Sequence, residues 1–212
     1  MENIMNRVEL HGIPTESPRF SHFGGGESFY TFPLDIARLS GATDRINIVA
    51  AESGVVSLGV TDFARRDLDV TGELRSFNST RRPGSKLVIT VLAKTLAFAR
   101  GADRNYIALT GALRKPPVIR RTPLGSTICD LLLAVPRRAG RCDYLPCIAW
   151  NRTARLAAEL SVGDSISLEG RIQSRKYMKT EGEISTERTA FEVSIRAILS
   201  PSESFRLSRP GP

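Results

Sequence analysis

Apolar side chains recur at every second position through most of this chain, the period of strands that bury one face. Val8 and Leu10 alternate with polar neighbours; Phe32, Leu34 and Ile36 follow, then Ile46 and Ile48, then Leu68, Val70 and Leu74. The series starts again with Ile107 and Leu109. It runs on through Leu131, Leu133 and Val135, then Leu145 and Cys147, then Ile166, Leu168 and Ile172. Stretches 87–93 and 190–198 predict a last strand in each series. Gly72 and Gly170 interrupt the fourth strands, and a glycine inside a strand marks a bulge or the sharp bend that a small closed barrel needs. Helical spacing stands out once, over residues 153–160, where Leu156 and Leu160 are four apart with alanines between, and Gly163-Asp164 ends it.

The two series are copies of one another. Asn6-Arg-Val-Glu-Leu-His-Gly12 returns 99 residues later as Asn105-Tyr-Ile-Ala-Leu-Thr-Gly111, and Asp44-Arg-Ile-Asn-Ile-Val-Ala50 returns as Asp143-Tyr-Leu-Pro-Cys-Ile-Ala149. Near the end the shift is 98, which pairs Val70-Thr-Gly-Glu-Leu-Arg-Ser76 with Leu168-Glu-Gly-Arg-Ile-Gln-Ser174. Several matches in order at a nearly fixed spacing define an internal repeat. Five strands with a helix between the third and fourth is the layout of the OB-fold, a small Greek-key barrel. The expected fold class is all-β, two tandem OB-fold barrels with one short helix per domain at most. Residues 1–100 form the first barrel and 105–199 the second; 200–212, rich in Ser, Pro and Arg, read as a disordered tail.

Composition narrows the partners. The 212 residues are 41% apolar and 25% charged, a globular balance. Thirty Lys and Arg against twenty-two Asp and Glu give +8, which suits a polyanion, either nucleic acid or an anionic membrane surface. The excess is uneven: residues 1–104 carry +1 and residues 105–212 carry +7. No apolar run approaches the length of about 18–20 residues that spans a bilayer, and the opening MENIMNRVELHG lacks the layout of a secretion signal. No membrane partner is expected. Cys129, Cys142 and Cys147 form no disulfide framework and read as packing residues or free thiols in a reducing cytoplasm. His11 and His22 lie far from any cysteine, so neither a metal nor any other cofactor is expected. Gly24-Gly25-Gly26 lacks the Gly-Lys-Ser/Thr of a phosphate-binding loop and reads as a hairpin tip. No nucleophile–base pair or carboxylate cluster suggests an enzyme.

In the second copy, Leu109-x-Gly111-x-Leu113-x-Lys115-x-Pro117-x-x-Arg120-x-Thr122-x-x-Gly125 is followed by Leu133-Ala-Val135 and by Asp143-Tyr-x-Pro-Cys-Ile-Ala-Trp150. Val162-Gly-Asp164 and Glu169-Gly-Arg-Ile-Gln-Ser-Arg-Lys-Tyr177 complete the series. In order and spacing these resemble bacterial single-stranded DNA-binding proteins over about 90 residues. The first copy is similar only through the repeat and Gly72-Glu-Leu-Arg-Ser-Phe77, and the whole resembles the tandem-OB members of that family. The resemblance implies a non-catalytic, sequence-tolerant binder of single-stranded DNA in replication, recombination and repair, cytoplasmic and associated with the nucleoid. By the same analogy the chain forms a homodimer with four OB-folds. Pro136 stands where the family usually has Asn, and Asn151 where Gly is usual. The chain ends Ser-Arg-Pro-Gly-Pro, where many members end in an acidic tail with a terminal Phe, so recruitment of repair enzymes by such a tail is not expected.

Strand parity identifies a binding face without the family. Leu145, Cys147 and Ala149 share one face of their strand; Tyr144, Pro146, Ile148 and Trp150 share the other. The first copy puts Arg45 and Asn47 on that second face, so it is the solvent side. Ile172 likewise points inward, while Arg171, Gln173, Arg175 and Tyr177 point outward. Rings that stack on bases, interleaved with cations that meet phosphates, are what single-strand binding requires. The candidate rings are Tyr144, Trp150 and Tyr177. The candidate cations are Lys115, Arg120, Arg121, Arg137, Arg138, Arg152, Arg171, Arg175 and Lys176, the arginines near the second strand being placed in flanking loops. Arg75 and Phe77 are the candidates of the first copy.

Plainer readings stand beside these. Trp150 as a cap on the core, Tyr144 and Tyr177 as ordinary surface tyrosines, a solvated arginine face and a structural Phe77 are the alternatives. Two other functions fit the same fold, a replication-restart or recombination accessory acting mainly through protein contacts, and an RNA-binding OB protein.

Overall fold

The computed structural model describes residues 5–60, 62–78, 87–137, 140–181 and 184–199, and their side chains except those of 176, 177, 179–181, 184 and 186–188. The chain divides into two compact units, Arg7–Arg75 with Ile89–Tyr106, and Met1–Asn6 with Ser76–Val88 and Ile107–Pro212. Each unit is built on one OB barrel.

The first barrel uses β1 (Asn6–Pro14), β2 (Arg19–Gly24), β3 (Glu27–Ala37), β4 (Thr43–Ala51), α1 (Glu52–Val56), β5 (Leu68–Asn78) and β6 (Leu87–Phe98). Its ring runs β1–β5–β6–β4–β3 and returns to β1 through Ile13 opposite Asp35 and Pro14 opposite Leu34. The second uses β7 (Arg104–Leu113), β8 (Val118–Arg121), β9 (Thr127–Pro136), β10 (Cys142–Trp150), α2 (Asn151–Ala158), β11 (Ser165–Glu181) and β12 (Ile184–Leu199). Its ring, β7–β11–β12–β10–β9, closes through Ala112 opposite Ala134 and Leu113 opposite Leu133. The parallel neighbours are β4 with β6 in the first barrel and β10 with β12 in the second, while β1–β5, β3–β4, β7–β11, β11–β12 and β9–β10 are antiparallel. The alternating residues named above fill the two interiors: Leu10, Leu34, Ile48, Val70 and Leu74 in the first, Leu109, Leu133, Leu145, Leu168 and Val193 in the second, all with no exposure. Fully burying one such side chain contributes roughly 1.5–3 kcal/mol.

Closure depends on close backbone crossings. A Cβ at Gly12 would lie 2.4 Å from the Asp35 carbonyl oxygen, and one at Gly72 2.3 Å from that of Leu92. The repeat reproduces both, Gly111 at 2.5 Å from the Ala134 oxygen and Gly170 at 2.3 Å from that of Ser194. The β11–β12 register slips at Glu169/Gly170, the bulge expected there.

Three details differ from the sequence reading. The helix of the second barrel spans Asn151–Ala158 rather than 153–160, and it buries Ala154 and Ala157 while Leu156 is exposed. Small residues let the helix lie close, and Asn151, at φ 48, turns the chain out of β10 directly into it. The first barrel has a five-residue helix, α1, in a Ser-Gly-Val-Val stretch with no helical stripe. Strands β2 and β8, too exposed to show alternation, form hairpins onto β3 and β9, with Gly25 and Gly26 in the first tip at positive φ. The tail over 200–212 lies outside the described residues.

Overpacking at a crossing costs about 1–3 kcal/mol. Gly72→Ala and Gly170→Ala should each lower stability by that order in urea unfolding. Gly54→Ala in α1, whose new methyl meets nothing within 4 Å, should be neutral or slightly stabilising.

Candidate nucleic-acid interface

Register settles which side chains share the outer face of the second barrel, because residues opposite one another point the same way. Across β9 and β10, Trp150 lies opposite Ile128, Ile148 opposite Asp130, Pro146 opposite Leu132 and Tyr144 opposite Ala134. On the other flank Ile148 pairs with Ser194, which pairs in turn with Arg171; Glu192 pairs with Gln173, and Ala190 with Arg175. One face therefore carries Tyr144 and Trp150, six residues and about 20 Å apart along β10. Arg171 and Arg175 border it on β11, and Arg120, opposite Ile128, borders it on β8. Tyr144 is 44% exposed and Trp150 39%, while Leu145, Cys147 and Ala149 are buried on the inner side. Trp150 does not cap the core.

The middle of this face is less open than simple alternation suggests. Ile148, Gln173, Glu192 and Ser194 are all buried. Gln173 Nε2 donates to Glu192 Oε1 at 2.8 Å, and Arg175 Nε lies 3.9 Å from Glu192 Oε2. A carboxylate at the centre disfavours phosphates there, so the cations that could meet them lie along the rims.

The predicted cations are not equivalent. Arg120 forms a two-point pair with Asp130, Nε to Oδ2 at 2.6 Å and a second bond at 3.2 Å. Arg120 and Arg121 lie on strand β8, not in the loops where they were placed. Arg137 is half-buried and grips the fully buried Asp143 with both arms of its guanidinium; Nε to Oδ2 is 2.6 Å. It also donates to the Ser76 carbonyl at 2.9 Å. Ser76 belongs to the same compact unit. Its N–H donates to Asp143 Oδ1 at 2.5 Å, and its hydroxyl accepts the Tyr144 N–H at 2.9 Å. That cluster fixes the backbone of the Tyr144 ring. Lys115, Arg121 and Arg152 are exposed, and among the described residues no ion pair involves them. Arg171 is half-buried beside Gln173. Phe77 is 52% exposed, and Arg75 is half-buried against Glu73. Burial tends to raise the Glu73 carboxyl, but Lys94 and Arg75 outweigh it and hold it below the usual range. Arg138 and the side chains of Lys176 and Tyr177 lie outside what is described.

On the first barrel the same positions are filled differently. Arg45, at the place of Tyr144, pairs in two-point fashion with Asp35 at 2.8 and 2.9 Å. Ala51, at the place of Trp150, lies opposite Phe29, on which His22 stacks with ring centroids 4.9 Å apart. The sequence reading missed this pair, and its one signal was Phe29 falling 99 residues before Ile128.

The two barrels make this a tandem OB-fold protein, and the second presents separated rings between basic rims. Residues 104–200 match the profile of the Single-strand binding protein family. It is 34% identical over 85 residues to single-stranded DNA-binding protein 2 of Listeria innocua, covering 37% of this chain and 54% of that protein. It is 33% identical over 127 residues to the single-stranded DNA-binding protein of Thermus aquaticus, covering 55% of this chain and 44% of that one. The chain spans about half the length of the curated relatives it matches. The crystal structure of the wild-type Thermus aquaticus protein superposes with a TM-score of 0.74 over 98% of this chain and 94% of that one. At 23% identity that likeness is one of fold. Among the described residues no helix is long and apolar enough to cross a membrane.

The three thiols are free, and their surroundings separate them. Full burial, helped by the charge of Glu192, pushes the Cys147 thiol up to about 12, and burial with Asp130 raises Cys129. At pH 8 about one Cys147 in ten thousand is a thiolate. Native protein treated with iodoacetamide should therefore alkylate at exposed Cys142 alone, and all three should react in denaturant. The raised Cys147 also makes a contribution to stability that is intact below about pH 9 and is lost as pH rises toward 12.

Proposed function

We propose that this chain binds single-stranded DNA with little regard for sequence, without catalysis, and protects it during replication, recombination and repair in the cytoplasm. The observation that carries this reading is the outer face of the second barrel, where Tyr144 and Trp150 stand exposed on one strand with arginines along both rims. Any base offers a face to stack on, so such a surface tolerates sequence. Tyr144 and Trp150 take bases; Lys115, Arg121, Arg152, Arg171 and Arg175 meet phosphates, with Arg138, Lys176 and Tyr177 assigned to the same surface from sequence. Arg120 reaches phosphate by exchanging Asp130 for it. Arg137, held by Asp143 and Ser76, positions Tyr144 rather than touching DNA. In the first copy Phe77 stacks and Arg75 supports it. The domains are the first barrel over 1–100 and the second over 105–199, and two chains assemble into a homodimer with four barrels.

Trp150 is the only tryptophan, so its emission reports on this face alone. Saturating poly-dT should quench most of it. By the magnitude measured for stacking in proteins of this kind, Trp150→Ala should weaken poly-dT binding by roughly 1–3 kcal/mol with little change in melting temperature, and Phe77→Ala should cost less. Emission unmoved by DNA would refute the stacking role, and tighter binding of matched RNA would favour the RNA reading. Light scattering at micromolar concentration should give twice the chain mass, and a monomer would overturn the dimer.

A further inference from the structure

The first unit hides a concentration of charge that its near-neutral total conceals. It contains nine arginines, all among the described residues. Six of them face carboxylates: Arg7 meets Glu9, Arg19 meets Glu16, Arg38 meets Asp44, Arg45 meets Asp35, Arg75 meets Glu73 and Arg104 meets Asp69. The other three, Arg65, Arg66 and Arg100, line a single pocket of about 400 Å³ with Asp67, Phe98 and Ala99. Among the described residues no ion pair involves any of the three.

The pocket is built by the fold. Arg65 sits at φ 64, a conformation costly for a side-chain-bearing residue, and its N–H is held by the Pro14 carbonyl at 2.7 Å. Ala99 N–H bonds the Asp67 carbonyl at 3.4 Å, which ties the end of β6 to this turn. The Arg66 guanidinium lies 3.6 Å above the Phe98 ring, and Phe98 packs edge-on against the buried Phe63. Arg66 thus has a packing role that explains its place. Among the described residues no such ring contact involves Arg65 or Arg100. Two guanidiniums left without carboxylates beside a third, with one aspartate among them, form a concave site of net charge +2.

We infer that this pocket is a second anion site that takes a phosphodiester of the bound single strand through Arg65 and Arg100. This rests on the reading given under Proposed function. Guanidinium forks match phosphate oxygens in geometry and charge, and a cavity of this size admits a backbone phosphate with its sugar.

The test is the salt dependence of binding to a long oligo-dT by the full chain. Each phosphate contact on a single strand contributes roughly 0.7 to the slope of log affinity against log salt. Arg65→Gly suits the positive φ, so Arg65→Gly/Arg100→Gln should fold and should lower the slope by about 0.7, the loss of one phosphate contact. Arg100→Gln alone should lower it by less than the double variant, and Arg65→Lys/Arg100→Lys should keep it near wild type. Arg19→Ala/Lys94→Gln removes the same charge from paired positions in the same unit, and should change the slope less. An unchanged slope in the pocket variants, with wild-type quenching of Trp150 retained, overturns the inference and leaves the DNA-binding reading standing. A drop as large in the paired-cation control overturns it too, because net charge would then suffice. Failure of the wild type to bind oligo-dT removes both.

Discussion

Both barrels rest on places where two backbones pass too close for any side chain. A strand that pairs with one neighbour along most of its length and with another at its end must bend across the barrel, and it does so at a glycine. β7 pairs with β11 over Ile107–Ala112 and with β9 at Ala112 and Leu113, with Gly111 at the crossing. Gly170 serves β11 in the same way where it meets β12, and Gly12 and Gly72 repeat the arrangement in the first copy. Without those crossings the sheets would stay open, and the curved outer face on which Tyr144 and Trp150 are spaced would not exist.

A second shared device is a buried arginine–aspartate pair at the turn between the second and third ring strands. Asp44 and Asp143 are almost wholly buried, and Arg38 and Arg137, six residues earlier, bind them with both arms. The same turns are closed by Arg38 N–H to Ala42 O and Arg137 N–H to Arg141 O, each 2.7 Å. A buried charge is tolerable only when its partner is equally well placed, so the pair fixes the hairpin in one arrangement. In the second barrel the pair also holds Ser76, and Ser76 holds the Tyr144 amide. An arginine that by its type belongs with phosphate instead orders the strand carrying a ring.

The two copies keep the interior and differ on the surface. Where the second barrel offers Tyr144 and Trp150, the first offers an arginine already paired and an alanine opposite a His22–Phe29 stack. Among the described residues, arginines of the first barrel without an ion pair lie elsewhere, around Phe98. One scaffold thus presents two chemistries, which is why the outward residues of one barrel cannot be carried to the other by the repeat offset alone.

The sequence by itself determined the all-β class, the two copies, the inward residues of the first four ring strands of each copy in chain order and the glycines of the fourth strands. Each of these follows from period-two burial and from the intolerance of crowded crossings for a Cβ, both written locally in the chain. It also placed Tyr144 and Trp150 outward, since parity needs only the strand itself. Only the tertiary structure decided which outward residues are open: Ile148, Gln173 and Glu192 obey the parity and are nevertheless covered by neighbours distant in the chain. It alone showed that Arg137 is bound and that Arg65, Arg66 and Arg100 converge. The partners of a charged side chain lie across strands and loops whose meeting depends on how the barrel closes, and no local pattern records that.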